Sequence, residues 1–451
     1  MLKVGSMKAR ERIEFERTHM SIPWHDYVVS SDFTPAREAA LTEKASVIGR
    51  IGIMMLSYGT TAWRVRNSMA HVGKVLGVTC TMDIGLVTIN YTCIEGHESV
   101  TQSLSIGGVG TNTERLAVME RLIAEFEEKS GHMSAEGLHR LLDHIENGGK
   151  PHRLQITVLG AATACACFAF LLGGGLTEMI CVFFGAGVGY LVRRLLDKNR
   201  FSMYIGVALS AAAACVVFEL VTVLIRLIFS IEAQTGAGFI CAVLFLVPGF
   251  PFITGILDLA KLDMRSGIER LVYSVFVMMV ASFVAWLAGM VFGFEAENMA
   301  GLDMAFWPLL ICRFFACFVA IFGFSMLFNS TYRMAFTAGL VGGVANLVRL
   351  ELISLTNLPV PVAAFTGTFL AGLISAAVVK KLGFPRIAIT IPAVVIVVPG
   401  SYIYQAIYSF GTGSSEDGLA ALIKACSIFF ALAMGILAAR FCTDKRFRHR
   451  D

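Results

Sequence analysis

The chain has 451 residues, of which 56% are hydrophobic and only 16% are charged. Soluble domains carry about 25% charged residues, so the composition excludes an ordinary soluble protein and indicates a polytopic membrane protein. The net charge is only +4, and no P-loop, G-x-G-x-x-G or HExxH motif occurs. We therefore expect no cofactor, no metal and no nucleic-acid partner, and an ion gradient rather than ATP as the energy source.

Charge is dense before residue 150 and apolar runs dominate after it, which predicts two parts. Residues 1–34 have the composition of a polar tail, and residues 35–150 are predicted to form a small cytoplasmic α+β domain. Glycines at 59 and 77 are expected to end the first two helices of this domain. The periodicity predicts helices over 35–59 and 61–77, strands within 78–83, 85–92 and 100–106, and helices over 114–130 and 134–147.

The remainder of the chain contains ten apolar runs, and each can supply the roughly 20 residues that a membrane span needs. With the N-terminal domain in the cytoplasm, Lys and Arg concentrate in the cytoplasmic loops, and both chain ends are cytoplasmic. The C-terminal tail is basic. The runs lie near 154–173, 178–196, 201–225, 235–257, 270–293, 305–328, 333–352, 359–380, 386–409 and 418–441.

Two Val-Pro-Gly sequences, 247–249 and 398–400, lie within the fourth and ninth runs, 151 residues apart. Proline removes a backbone donor and glycine weakens a helix, so each sequence predicts a broken span. Other identities at nearly the same offset divide the membrane part into repeats over 151–300 and 301–451, with five spans each. Because five is odd, we expect inverted-topology repeats, an arrangement typical of secondary transporters.

Two stretches carry a family pattern. The first, at 56–77, has a small residue, a glycine and an Arg-Val pair at Gly59, Arg64 and Val65. The second stretch, at 246–271, has the pattern at Pro248, Gly249, Asp258, Asp263, Ser266, Gly267 and Arg270. Both stretches resemble those of the bacterial threonine/serine exporter family, and the resemblance covers about residues 36–441 but not the N-terminal tail.

The resemblance implies a secondary active transporter, not an enzyme, that exports L-threonine or L-serine across the bacterial inner membrane, with proton antiport as the expected coupling. In related systems the two parts are separate proteins thought to move dicarboxylates such as succinate, so dicarboxylate export is an alternative. A membrane enzyme with a hydrolytic N-terminal domain is a further alternative, for which the sequence shows no recognisable nucleophile–histidine constellation. The expected partners are the small polar metabolite, a proton and the lipid bilayer, and small-residue clusters leave a homo-oligomer open.

Polar groups near the two breaks are the candidates for binding substrate, because freed backbone groups and side-chain hydroxyls suit a zwitterion. Arg313, in the sixth span, is expected to pair with Glu219 or to attract a substrate carboxylate. The candidate substrate-binding residues are Pro248, Gly249, Thr254, Pro399, Gly400, Ser401, Tyr402, Gln405, Arg313 and Asn346.

Two acids are candidates for proton coupling. Asp258 lies ten residues beyond Pro248 and is expected either to accept a proton or to be a solvated acid at the membrane interface. Glu219 lies inside the third span, where a charge costs about 2.5–3.5 kcal/mol and needs a cavity or a partner. Gating or structural roles are expected for Asp263, Arg270, Gly59 and Arg64, the last pairing with an acid or gating the cytoplasmic entrance.

Overall fold

The computed structural model of the protein describes residues 22–30, 34–130, 132–148, 152–229, 236–293 and 304–448. These residues form two compact units. The N-terminal unit comprises the described residues before 149 together with Lys261–Glu269, and the helical unit comprises the others. The predicted boundaries at 150–151 and 300–301, and most of the predicted tail, lie outside the described residues, so the domain limits stay predictions.

The N-terminal unit combines helices with one antiparallel sheet of order β1-β2-β3. Its core includes Tyr91 of the central strand, whose hydroxyl donates to the Ala45 carbonyl at 2.8 Å. The order of two helices, three strands and two helices is the predicted one, with one additional short helix. The elements are α1 (Leu41–Ser57), α2 (Ala62–Val75), β1 (Thr79–Ile84), β2 (Thr88–Glu95), β3 (Glu98–Ser105), α3 (Thr113–Ala124), α4 (Phe126–Ser130) and α5 (Ala135–Asn147).

Two predicted helix limits in this unit are wrong. The first helix begins at Leu41 rather than at 35, because the Ala36 amide donates to the Met133 carbonyl at 2.8 Å and the preceding residues form turns. The predicted helix over 114–130 is interrupted at Glu125. At the first of these places a tertiary contact overrides the local helical periodicity.

The helical unit contains nine helices that are long and apolar enough to cross a membrane, counted over the described residues. A tenth span results if a pair of helices bent by 63° is counted as one, which agrees with the predicted ten. The helices are α6 (Leu154–Leu171), α7 (Leu176–Lys198), α8 (Met203–Phe229), α9 (Gly236–Cys241), α10 (Gly249–Ala260), α11 (Met264–Phe292), α12 (Phe306–Leu327), α13 (Tyr332–Thr356), α14 (Val360–Leu382), α15 (Arg386–Val394), α16 (Gly400–Gly411), α17 (Ser415–Thr443) and α18 (Lys445–Arg448).

The first half of this unit, α6 to α11, and the second half, α12 to α17, repeat one element order. The agreement is closest around the two Val-Pro-Gly sequences. Helices α10 and α16 both have 12 residues, α11 and α17 both have 29, and each pair is offset by 151 residues. The short 3-10 turns Leu244–Leu246 and Val395–Val397 have the same offset. The fold is thus that of a helical polytopic membrane protein with a small α+β unit.

Candidate functional site

Both Val-Pro-Gly sequences interrupt their helices, as predicted. In each, a 3-10 turn is followed by a valine with non-helical backbone angles, Val247 (ψ 119°) or Val398 (ψ 127°), and a new helix begins at the glycine. The first break bends the chain by 63°, whereas the segments around the second stay within one span, Arg386–Gly411. Proline accounts for the interruption because it cannot donate the helical hydrogen bond.

The two breaks pack against each other. A Cβ added at Gly249 would lie 2.5 Å from Val395 Cγ2, in the 3-10 turn of the second break. A Cβ added at Gly400 would lie 3.1 Å from Val247 Cγ2 and 3.2 Å from Leu244 Cδ2, in the first break. Leu244 and Val395 are themselves repeat counterparts, so the contact is reciprocal. The facing segment therefore leaves no room for a side chain at Gly249 and little room for one at Gly400.

A buried polar network lies on the helices that follow the first break. The Arg270 guanidinium donates from Nη1 to the Thr254 hydroxyl at 2.7 Å, and its Nε lies 3.4 Å from Asp258 Oδ2. Asp258 and Thr254 are completely buried, and Arg270 is 3% exposed. The alternative in which Asp258 is a solvated acid is therefore wrong. A buried carboxylate beside an arginine is a group whose protonation changes the charge of its surroundings.

Asp263 lies just before α11 and belongs to the N-terminal unit. It is 5% exposed and forms an ion pair with Arg66 of α2. Burial raises the pKa of the Asp263 carboxyl, and the neighbouring Arg66 opposes this increase. The ion pair thus fixes a segment that is continuous with α10 and α11.

Further contacts within the N-terminal unit hold the same segment, Lys261–Glu269. Each of these contacts involves at least one charged side chain. The contacts are an ion pair between Arg265 and Asp83, a hydrogen bond from the Leu86 amide to Glu269 Oε2 at 2.6 Å, and Lys261 Nζ 5.0 Å from the ring centroid of Trp63. No local pattern in the sequence indicated these pairs, because the partners are up to about two hundred residues apart.

Asn346 braces the second break. Its Nδ2 donates to the carbonyls of Gly342 at 2.8 Å and Ala393 at 2.9 Å, and Ala393 lies in the last turn before the break. The residue is 1% exposed, and its Oδ1 has no hydrogen-bond partner among the described residues. Asn346 therefore holds the break in place and keeps a free acceptor.

The other candidates at the second break lie on α16. Ser401, Tyr402 and Gln405 are all partly buried. The Tyr402 ring lies 4.9 Å from Lys424 Nζ, a cation–π contact that the sequence did not indicate. Neither Ser401 nor Gln405 forms a side-chain hydrogen bond with the residues that the structure describes. Their polar groups therefore remain available.

The predicted pairing of Arg313 with Glu219 is wrong. Arg313 Nη1 instead donates to Glu351 at 2.7 Å and to the Ser354 hydroxyl at 3.1 Å, both on the neighbouring helix α13. A carboxylate on the adjacent helix thus neutralises Arg313. This ion pair makes the guanidinium less available for binding a substrate carboxylate. Glu219 is partly buried, and its Oε2 is buried without a hydrogen-bond partner among the described residues.

Gly59 and Arg64 lie in the N-terminal unit. Gly59 has φ +90° after the end of α1, a conformation that favours glycine, and a Cβ there would lie 2.9 Å from the Gly110 carbonyl oxygen. Arg64 donates to Glu120 Oε1 at 2.7 Å. Of the two roles expected for Arg64, the structure shows the pairing with an acid.

One contact bears on the hydrolytic alternative. The Ser46 hydroxyl lies 3.0 Å from His139 Nε2, and both residues are completely buried. Burial and the nearby Arg50 lower the pKa of His139 to about 4. The other ring nitrogen, Nδ1, faces Arg50 Nη1 at 3.5 Å rather than the carboxylate that a hydrolytic triad uses there. The described residues also include no cluster of His, Cys, Asp and Glu that fits a metal ion.

Comparison with known families gives matches over the residues that form both breaks and the buried network. A family model described as "Putative threonine/serine exporter" matches residues 46–293. The chain belongs to the threonine/serine exporter family. A second model, "Threonine/Serine exporter, ThrE", matches residues 313–442. The family contains membrane transporters, and the two models together cover the N-terminal unit and both halves of the helical unit.

Individual relatives carry two kinds of name. "Probable succinate transporter subunit YjjP" of Klebsiella aerogenes is 25% identical over 219 residues, 48% of this chain and 82% of the relative. Its Escherichia coli K12 namesake is 25% identical over 234 residues, 51% of this chain and 88% of the relative. The "Threonine/serine exporter" of Corynebacterium glutamicum is 24% identical over 239 residues, 50% of this chain and 47% of the relative. No solved structure matches the chain.

Proposed function

We propose that this protein is a secondary active transporter that exports L-threonine, L-serine or a closely related amino acid across the bacterial inner membrane, in exchange for protons. The observation that carries the proposal is the packing of one helix break on the other through Gly249 and Gly400. Broken helices at corresponding positions of two halves are the arrangement in which transporters bind substrate. Membership of an exporter family supports the proposed direction of transport, out of the cell.

The reciprocal contact also supports inverted repeats. Gly249 faces Val395, and Gly400 faces Leu244, the counterpart of Val395. In a two-fold arrangement, a contact between a residue of the first half and a residue of the second half is repeated between their two counterparts. With five spans in each half, the two-fold relation reverses the direction in which the second half crosses the membrane. Rocking of one half against the other then gives alternating access.

Proton coupling is assigned to Asp258. When its carboxylate is charged, Arg270 holds it at 3.4 Å and also binds Thr254. Protonation removes the negative charge, so that the ion pair is lost while the hydrogen bond from Arg270 to Thr254 can persist. The two protonation states thus differ in what holds α10 to α11, the two helices that follow the break. Such a difference lets a proton bias one conformation over the other.

Substrate is assigned to the space beside the breaks, where Ser401 and Gln405 keep uncommitted polar groups. A zwitterionic amino acid needs both donors and acceptors, and the amide of Gln405 supplies both. Backbone groups freed at Pro248 and Pro399 add further donors and acceptors.

The proposal is tested in proteoliposomes loaded with unlabelled amino acid. We expect labelled L-threonine and L-serine to enter by counterflow, and a pH gradient to drive net movement of either one. Absence of counterflow for both amino acids would refute the substrate assignment. Net movement that is equal at every imposed pH gradient would refute proton antiport.

The role of Asp258 is tested by Asp258→Asn, which keeps the shape and removes the titratable group. We expect loss of pH-driven export with counterflow retained, because exchange needs no net proton movement. Ser409→Ala, at the equivalent position of the second half, is the matched control and should keep both activities. Normal pH-driven export by Asp258→Asn would exclude this carboxyl as the coupling group.

Dicarboxylate export is the second candidate, favoured by the two relatives named as succinate transporter subunits. Labelled succinate in the same counterflow assay separates the candidates. Counterflow of succinate without that of threonine or serine would replace the first proposal with this one.

A further inference from the structure

Arg349, in the second half of the helical unit, is a cation without a hydrogen-bond or ion-pair partner among the residues that the structure describes. It lies on α13, three residues after Asn346, and is partly buried. Its Nε is buried without a hydrogen-bond partner, and its side chain forms no hydrogen bond or ion pair with any residue that the structure describes. An arginine within a membrane span is costly and normally faces a partner or a cavity.

The surroundings of Arg349 differ from those of the other arginines in this unit that were considered above. Arg313 is neutralised by Glu351, and Arg270 by Asp258. Among the described residues, Arg349 interacts electrostatically with the Cys317 thiol on α12 and the Tyr402 hydroxyl on α16, and no carboxylate forms an ion pair with it.

Close packing fixes the position of this arginine. A Cβ added at Gly367 of α14 would lie 2.9 Å from Arg349 Cβ and 3.3 Å from its Cδ. The stem thus lies directly on the backbone of the neighbouring helix, which only a residue without a side chain permits. Tyr402 lies two residues after Gly400, so the guanidinium is close to the second break.

We propose that Arg349 binds the carboxylate of the transported substrate. The proposal rests on the transport function proposed above and names the group by which the substrate is recognised. Guanidinium binds carboxylate through two parallel hydrogen bonds, and a carboxylate is what threonine, serine and succinate have in common. Binding supplies the carboxylate partner that Arg349 does not find among the described residues.

Asn346 extends the assignment to an amino acid. It lies one turn from Arg349, and residues three apart share a helix face. The atom that remains free on Asn346 is Oδ1, an acceptor. An ammonium group supplies donors to such an atom, whereas a second carboxylate would meet acceptor with acceptor. The pair Arg349 and Asn346 thus matches the two charged groups of an α-amino acid.

The test compares Arg349→Gln with Arg333→Gln, which removes an exposed arginine near the start of the same helix. Counterflow of L-threonine is measured over a range of concentrations. We expect KM to rise about 10–100-fold in Arg349→Gln, the loss for a hydrogen bond to a charged group, and to change little in the control. Arg349→Lys keeps the charge but not the paired hydrogen bonds, so it should be intermediate.

A second readout uses threoninol, which lacks the carboxylate. It should compete poorly with threonine in the wild-type protein, and the preference for threonine should shrink in Arg349→Gln. Gly367→Ala keeps the arginine but displaces its stem, and should also raise KM. It serves as the test should Arg349→Gln fail to give monodisperse protein.

Unchanged KM and unchanged discrimination against threoninol in Arg349→Gln would overturn the inference while leaving the transport function intact. If Gly367→Ala is the variant tested, a KM equal to that of the wild type would overturn it. Failure of the wild-type protein to move any of the amino acids or succinate would instead refute the proposed function. The two failures are therefore distinguishable.

Discussion

The two halves of the helical unit share a backbone plan but differ in chemistry. The 3-10 turns, the helices after each break and the long helices that follow correspond at a constant offset of 151 residues. The buried network of the first half has no counterpart in the second. Thr254, Asp258 and Arg270 correspond to Gln405, Ser409 and Ala421.

The difference shows that repetition fixes geometry while leaving each half free to carry a different function. The first half places a carboxylate beside its break, in the network of Asp258 and Arg270. The second half places an arginine near its break with no carboxylate beside it among the described residues. Under the proposals above, the first half handles the proton and the second half handles the carboxylate of the substrate.

The largest expected effect on stability follows from the buried ion pair between Asp258 and Arg270, which is present in the first half and has no counterpart in the second. Arg270→Gln leaves Asp258 buried without its cationic partner, which should destabilise the protein by about 3–5 kcal/mol. The control Ala421→Gln, at the equivalent position of the second half, should have a much smaller effect. Thermal unfolding in detergent measures both.

Asp258→Asn added to Arg270→Gln should recover part of this loss, because no uncompensated charge then remains. A double variant that is no more stable than Arg270→Gln alone would show that the two side chains do not form an energetic pair.

The next largest effect on stability is expected from substitutions of the glycines at which the two breaks pack together. Gly249→Ala places its Cβ 2.5 Å from Val395 Cγ2, whereas Gly400→Ala meets its nearest atom at 3.1 Å. Overpacking costs about 1–3 kcal/mol, so Gly249→Ala should be the more harmful substitution for both stability and counterflow rate. Equal behaviour of the two variants would mean that the breaks are looser than their contacts indicate.

A smaller, pH-dependent effect is expected at Asp263, whose counterpart Ser414 does not titrate. Burial raises the folded-state pKa of Asp263 above its usual 3.8, so the folded state holds this proton more tightly than the unfolded state. The group therefore favours folding at low pH, and this contribution is lost as pH rises from about 3.8 through the raised pKa.

Arg66→Gln removes the cation that opposes this shift and should make the fall in stability with rising pH larger. Asp263→Asn should abolish it, and Ser414→Ala should leave the pH profile as in the wild type. Melting temperatures recorded across the acidic range decide the matter. An unchanged profile in Asp263→Asn would assign the dependence to other groups.

The smallest effect concerns two corresponding turn residues. Leu262 has φ 64° and its counterpart Gly413 has φ 86°. The left-handed conformation costs a non-glycine residue about 1–2 kcal/mol, which the greater unfolded-state freedom of glycine partly offsets. Leu262→Gly should therefore stabilise by up to about 1 kcal/mol, and Gly413→Ala should destabilise by a similar amount. Melting temperatures of both variants test this, and destabilisation by Leu262→Gly would contradict it.

The sequence predicted features that depend on local chemistry. Pro248 and Pro399 interrupt their helices whatever those helices pack against. The lengths of the apolar runs are enough to locate the spans. Partner choice could not be predicted, because it depends on how each helix is rotated and which helix lies beside it. Arg313 pairs with Glu351 rather than Glu219 for that reason. The lack of an ion-pair partner for Arg349 among the described residues likewise depends on the neighbouring helices α12, α14 and α16, and not on the sequence around Arg349.

The segment Lys261–Glu269 has a consequence for where this chain can be divided. The chain leaves the helical unit after Ala260, enters the N-terminal unit a second time, and returns at Arg270. A cut between the N-terminal unit and α6 would therefore not separate that unit from the first half, because Lys261–Glu269 would still be covalently joined to Ala260 and Arg270. A cut between α11 and α12 severs no such return. The first family model ends at residue 293 and the second begins at residue 313, on either side of that junction.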